Sequence, residues 1–192
     1  MHNVKAIFNL DLEDYMAYKS LEEGHVYLVN ELDNDLVYGS ILSMNEMVRL
    51  GVTNITMHIN SIGGFIFSSF TLYDYINLIK CKNGIHVTSV VEGEACSAAS
   101  MIVMQAADER LACENSRIMI HEPYEFIEGG LTVTKYKDRS KEMDTVTKMV
   151  MDILSDRCNK TSKEIMKVIK NTDVFMRPSE ALEFGIIDGI LK

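Results

Sequence analysis

Gly93-Glu94-Ala95-Cys96-Ser97-Ala98-Ala99-Ser100 decides how this chain is read. It joins an apolar run, Ile85-His86-Val87-Thr88-Ser89-Val90-Val91, to a second apolar segment that opens at Ser97 and continues to about residue 106. β-Branched residues dominate the first run and predict a strand over 85–91. The second run reads as a helix. A serine at such a junction has its hydroxyl held at a helix N-terminus, where backbone N–H groups carry partial positive charge and suit a developing oxyanion. The surrounding Gly and Ala residues let a substrate backbone come close. Taken alone, Ser97 is equally an ordinary N-cap. The rest of the chain shifts that balance.

The 192 residues are 47% hydrophobic, a composition sufficient for one large α/β domain. A net charge of −9 disfavours a nucleic-acid backbone as partner. No window approaches the run of about 18 apolar residues that spans a membrane. The opening Met1-His2-Asn3-Val4-Lys5-Ala6-Ile7-Phe8 lacks the charged start and long apolar run of a signal peptide, so a cytoplasmic location is expected. Cys81, Cys96, Cys113 and Cys158 show no CxxC spacing and are expected to be free, buried or half-buried thiols. Cys96 adjoins Ser97 but ranks below it as a nucleophile. No metal-ligand pattern is read, and no cofactor is expected.

With two prolines and no Gly/Ser-rich linker, the chain reads as a single domain, 1–192. Strands are predicted at 25–30, 55–59, 85–91, 110–113, 117–120 and 186–191. Helices are predicted at 37–50, 65–80, from 97 to about 106, within 131–158, at 162–171 and from Pro178. Asn60-Ser61-Ile62-Gly63-Gly64 reads as a turn, and Thr161 or Ser162 before Glu164 as a capping box. Alternating strands and helices predict a parallel sheet covered by helices.

Ligands of such sheets sit at the carboxyl ends of the strands. Gly63-Gly64, Ser97 and His121 each follow a predicted strand. A nucleophile, a base and a pair of free glycine N–H groups form the parts list for acyl transfer. Asp173 is the candidate to orient the imidazole, although Asn171-Thr172-Asp173 also suits a plain turn. Asp144, Asp152 and Asp156 fall mostly on solvated helix faces, and Asp108 is a further alternative. His2, His25, His58 and His86 carry no readable partner pattern.

Ordered blocks run from about residue 25 to residue 191: Ile59-Asn60-Ser61-x-Gly63-Gly64, then Gly93-x-Ala95-x-Ser97, then Asn115-Ser116-Arg117-Ile118-Met119-Ile120-His121-x-Pro123. Asp173-x-Phe175-Met176 and Glu180-Ala181-x-x-Phe184-Gly185-Ile186-Ile187-Asp188-x-Ile190-Leu191 complete the series. In these blocks the chain resembles the proteolytic subunit of the Clp peptidases, cytosolic serine endopeptidases with a crotonase-like α/β fold of repeated ββα units.

The resemblance implies Ser97 as nucleophile, His121 as base and Asp173 as orienting acid, with the N–H groups of Gly64 and Ala98 as oxyanion hole. It implies a head formed by 1–122 and 159–192 and a protruding handle, about 123–158, built of a strand and a helix. The handle strand, around 124–134, would bind an extended peptide, with Gly63, Glu122, Pro123, Leu131, Thr132 and Val133 as substrate contacts. It also implies a homo-oligomer, a heptameric ring or a double ring, that encloses peptide or unfolded-protein substrate. An ATP-driven unfoldase partner is only weakly implied, because 1–23 does not resemble the family's axial loop. Ile62 stands where the family has proline, Ala98 where it has methionine, and Thr172 and Val174 where it commonly has charged residues. Met143, Val146, Met149, Val150, Ile153 and Leu154 form an apolar stripe expected to pack against another subunit's handle. Two other classes stay open: a non-hydrolytic assembly or regulatory subunit of the same fold, and a crotonase-type acyl-CoA enzyme.

Overall fold

Local signals in the sequence set most of the element ends. In the computed structural model, which describes residues 11–127 and 129–192, α1 (Leu12–Glu23) starts at Asp11, whose carboxylate accepts from the Asp14 N–H at 2.9 Å. The strand β1 (His25–Leu32) follows. Asp33 caps α2 (Asn34–Leu50) by accepting from the Leu36 N–H at 2.8 Å. That cap places the start of α2 three residues before the expected position, through polar residues that the apolar pattern misses. Val37, Ser40, Met44 and Met47 are its buried side, and Gly51, at φ 82°, ends it as predicted.

The strand β2 (Asn54–Gly64) buries Ile55, Met57 and Ile59 in alternation. Residues 60–64, expected as a turn, continue this strand and stay paired with β1. After α3 (Ile66–Asn83), β3 (His86–Cys96) runs directly to Ser97. The helix expected from 97 to about 106 is instead one turn, α4 (Ala98–Met101), followed by a 3₁₀ turn (Val103–Ala106). The Gln105 side-chain amide donates to the Ser100 carbonyl at 2.7 Å, so that carbonyl is satisfied without a continuing α-helix.

The rest of the chain comprises β4 (Glu109–Cys113), β5 (Arg117–Ile120), α5 (Val133–Arg157), α6 (Ser162–Ile169), β6 (Val174–Met176), α7 (Pro178–Phe184) and β7 (Gly189–Leu191). The Thr161–Glu164 capping box forms at the start of α6, and Pro178 occupies the first turn of α7.

The strands order as β1-β2-β3-β4-β7, all parallel. β3 changes partner along its length: Thr88 to Val91 pair with β4, whereas Glu94 to Cys96 pair with β5. β5 in turn pairs antiparallel with β6. The expected α/β class and parallel sheet are therefore present. Leu28, Leu32, Met44, Ile59, Leu72, Ile76 and Val91 sit in the core between this sheet and its helices.

Two expectations about 123–158 are corrected. Among the described residues, 121–132 contain no strand; Thr132 instead caps α5, its hydroxyl accepting from the Lys135 N–H at 3.3 Å. Val133 lies in that helix, so the alternation of 131–134 reflects a helix start. Glu128, within the expected strand, lies outside the described residues. The apolar stripe also divides. Val146, Val150 and Leu154 are buried in the chain's own core, while Met149 stays 44% exposed. The helix therefore packs its C-terminal half against α4, the 3₁₀ turn and α6 of its own chain, and its N-terminal half, 133–142, is exposed. Phe67, near the start of α3, is likewise exposed, at 63%. Cys81 is exposed; Cys96 and Cys158 are buried, Cys113 is half-buried, and all four are free.

A buried cation ties the end of α5 to the last strand. Arg110, 3% exposed, donates to Asp188 at 2.8 Å through Nε and 2.5 Å through Nη2, and to Gln105 at 2.7 Å. Its Nη2 also reaches the Arg157 carbonyl at 3.4 Å. Burial pushes the Asp188 carboxyl up, but the hydrogen bonds and charge of Arg110 outweigh it and hold the carboxyl below its ordinary value. Its stabilising contribution is therefore present above the unfolded carboxyl value of about 3.9 and is lost as pH falls through the folded value. Asp188→Asn should destabilise the fold by about 2 kcal/mol near neutrality, below the buried-pair range because the carboxylate is part-exposed. In urea unfolding, the gap between variant and wild type should close below about pH 4.

Candidate active site

The partner change of β3 brings two chain segments together. Because Glu94 to Cys96 pair with β5, the residues that follow these strands, Ser97 and His121, emerge side by side. The Ser97 N–H donates to the Met119 carbonyl at 3.0 Å, and Ser100 Oγ–H donates to the same carbonyl at 2.6 Å. Ser97 adopts φ 53° and ψ −127°, outside the ordinary range for a side-chain-bearing residue. Such strain persists only where surrounding structure over-determines it. Here the β5 contacts and the start of α4 do so.

The hydroxyl of Ser97 lies 2.6 Å from His121 Nε2, so with Nε2 unprotonated Oγ–H donates to the ring. His121 is buried and carries Tyr124 edge-on, with ring centroids 5.3 Å apart. Burial pushes the imidazole below its ordinary value, and the charge of Asp173 offsets part of that shift. The ring is thus mostly neutral near pH 7 and available as a base.

Asp173 lies in register beyond the last β5–β6 pair, Ile120 with Val174. Its Oδ1 is 3.7 Å from His121 Nδ1, longer than a hydrogen bond, and its side chain is 59% exposed. This contact is therefore open to solvent, unlike the serine–histidine contact.

Gly63 and Gly64 carry the end of β2 against this pair. A Cβ on Gly63 would stand 2.7 Å from Ser97 Cβ and from the Cys96 carbonyl, and 3.1 Å from the Ala98 nitrogen. A Cβ on Gly64 would stand 2.6 Å from the Leu32 backbone. Both glycines are thus required by close approach as well as by their positive φ. Ala98 opens α4, where N–H groups have no partner within the helix.

Cys96 points away from this chemistry. Its Sγ donates to Glu94 at 3.5 Å, and burial, with the Glu94 charge, pushes the thiol up to about 12. It is an inert core thiol.

A cleft of about 740 Å³ opens beside Ser97 and His121, lined also by Ile62, Gly63, Gly64, Phe65, Phe67 and Met101. Pro123 also lines it, whereas Glu122, Leu131, Thr132 and Val133 do not. Tyr124 and Phe126, which sequence reasoning did not single out as contacts, supply aromatic walls. Their signal was only two exposed-type aromatics after a base. Among the described residues, no group of three or more His, Cys, Asp and Glu is placed to hold a metal.

The histidines without a readable pattern do have partners. His25 Nδ1 and His58 Nε2 are 2.8 Å apart, and His58 Nδ1 lies 2.7 Å from Glu92. His86 pairs with Asp108 at 3.6 Å. Only strand register places these residues together. His2 lies outside the described residues.

The sequence profile of the Clp protease family matches residues 12–192. The chain belongs to the Clp protease family. It is 29% identical over 195 aligned positions to a protein named ATP-dependent Clp protease proteolytic subunit from Carsonella ruddii, covering 98% of this chain and 92% of that one. It is 28% identical over 170 positions to ATP-dependent Clp protease proteolytic subunit 1 of Rhodopirellula baltica, covering 88% of this chain and 70% of that one. The chain is thus a protease of the serine type by family, and the crotonase-type acyl-CoA alternative falls away. Among the described residues, no helix is long and apolar enough to cross a membrane.

Gly63→Ala tests the packing of the two glycine-bearing segments. The added Cβ meets a backbone carbonyl that cannot swing aside, at φ +93°. The variant should lose peptidase activity by at least about 100-fold, because a misplacement of about 1 Å costs that much. Thermal unfolding should show a loss of about 1–3 kcal/mol.

Proposed function

We propose that this Clp-family member hydrolyses peptides and unfolded protein segments through Ser97, His121 and Asp173, with Gly64 and Ala98 N–H groups as oxyanion hole. The observation that carries this reading is the 2.6 Å contact between Ser97 Oγ and His121 Nε2 beside an apolar cleft. Ser97 Oγ attacks the peptide carbonyl carbon as its proton passes to His121 Nε2. The carbonyl oxygen becomes an oxyanion held by the two backbone N–H groups. The C–N bond then breaks, and the leaving amine takes the proton from His121. Water, deprotonated by the same imidazole, attacks the acyl-enzyme and releases Ser97.

Asp173 orients Nδ1–H and stabilises the imidazolium, and the cleft's Phe65, Phe67 and Met101 receive apolar side chains of the substrate. Substrate enters as an extended chain, because a folded protein does not fit a site flanked by its own strand ends. The catalytic head is formed by 1–122 and 159–192, and 123–158 is the handle through which subunits assemble into a ring, single or double. Val133, 73% exposed, and Tyr136, 63% exposed, support this reading, since they lie on the half of α5 that its own core does not cover. A chambered protease needs chains delivered unfolded, so an ATP-driven unfoldase in the cytoplasm is part of the proposal. The N-terminal ten residues of the segment expected to differ from the family's axial loop lie outside the described residues.

Ser97→Ala should abolish hydrolysis of a short fluorogenic peptide with the thermal midpoint nearly unchanged, because the Ser97 side chain makes no capping hydrogen bond to α4 that the variant would lose. Retained turnover in the purified variant would overturn the assignment. Asp173→Asn should lower kcat by up to about 10⁴-fold. It should also move the acid limb of the pH profile to lower pH, because it removes the charge that raises the His121 value.

Assembly is tested at the exposed half of α5. Val133→Lys with Tyr136→Lys should reduce the sedimenting mass while each subunit stays folded. An unchanged mass would place the subunit contacts elsewhere.

A further inference from the structure

Asp173 belongs to no regular element. It sits between the end of α6 at Ile169 and the start of β6 at Val174, on a turn whose side chains are mostly exposed. Backbone bonds from Lys170 to Met166 at 3.1 Å and from Thr172 to Ile169 at 3.2 Å close the helix end. Neither connects the turn to the strand that carries His121. β5 and β6 pair at three positions only, ending at Ile120 with Val174. Beyond that pair, one side-chain bond links the two chain segments: the carboxylate of Glu122 accepts from the Asn171 N–H at 3.3 Å. Asn171 has φ 57°, a left-handed conformation that asparagine tolerates better than most residues but that still has to be held in place.

The distance at stake is small. His121 Nδ1 and Asp173 Oδ1 are 3.7 Å apart, so a shift of under about 1 Å separates a formed hydrogen bond from a solvent-screened charge contact. A group that fixes the turn thereby fixes whether the acid can orient the base. Glu122 is half-buried and does not line the cleft, which leaves its carboxylate free for this bond and argues against the substrate-binding role expected from sequence resemblance.

We propose that Glu122 is a positioning residue: it tethers the Asn171 N–H and so holds the turn that presents Asp173 to His121. The inference rests on the reading of Ser97, His121 and Asp173 as a catalytic triad. Glu122 touches neither substrate nor the reacting atoms. It acts through the carboxylate two residues beyond its partner. An amide side chain keeps an acceptor oxygen and should serve nearly as well, whereas alanine should not.

The test uses the full-length protein and an alkyl fluorophosphonate, which labels an activated serine without requiring a known substrate. Wild type should be labelled at Ser97. Glu122→Ala should be labelled about 10-fold more slowly and should show kcat for a short peptide lowered by a similar factor with KM within about twofold, as expected for lost orientation rather than lost binding. Glu122→Gln should stay within about threefold of wild type. In an Asp173→Asn background, Glu122→Ala should cost less than about twofold, because the tether then has no acid to position. Faster hydrogen exchange at the Asn171 amide in the alanine variant, at an unchanged thermal midpoint, would show the tether directly. A wild type unlabelled at Ser97 would overturn the triad reading itself. Normal labelling of Glu122→Ala, a rise in KM alone, or a full additive loss in the Asp173→Asn background would overturn the positioning role while leaving the triad standing.

Discussion

The site depends on β3 having two successive neighbours. Its first half pairs with β4 and closes the main parallel sheet; its second half turns to β5 and carries the chain to Ser97. The last bond of that second pairing, from the Ser97 N–H to the Met119 carbonyl at 3.0 Å, fixes Ser97 and His121 relative to each other before either side chain is considered. Ser100 adds its hydroxyl to the same carbonyl. Both lone pairs of one backbone oxygen are therefore committed to the junction, and the unfavourable φ of Ser97 is held by ladder bonds rather than by its own preference.

Electrostatics divide the site into a dry half and a wet half. Ser97 and His121 meet at 2.6 Å under Tyr124, in surroundings that favour the neutral imidazole. Asp173 faces solvent at 3.7 Å, where screening weakens its hold on the ring. Arg110 is the reverse case: it is permanently charged, buried, and satisfied by Asp188, Gln105 and the Arg157 carbonyl. That cluster anchors the end of α5 to the core, so the exposed first half of the helix projects from a fixed base.

The exposed aromatic residues follow from the same division. Phe65 and Phe67 flank the start of α3, and Tyr124 and Phe126 follow His121; all four are more than half exposed yet line one cleft. Apolar surface gathered at the carboxyl ends of parallel strands, next to Ser97 and His121, is where ligands of such sheets sit. Val133 and Tyr136, in the first turns of α5, are also exposed.

The sequence by itself determined the alternation of strand and helix, the helix stop at Gly51, the helix start at Pro178, the Thr161 cap, and the motif positions Gly63, Ser97, His121 and Asp173, because each rests on local periodicity, capping or a contiguous motif. It gave no access to the division of β3 between two neighbours or to the His25–His58–Glu92 chain, since strand register is a relation between distant segments. It misplaced the 131–134 segment as a strand because an N-cap threonine between apolar residues shows the same alternation as a β pattern. It sent the whole α5 stripe to a neighbouring subunit, whereas tertiary packing decided that Val146, Val150 and Leu154 close the chain's own core. An apolar helix face states only that it must be covered; which surface covers it is fixed by where the ends of the helix are anchored, here by Arg110 and the carbonyl of Arg157.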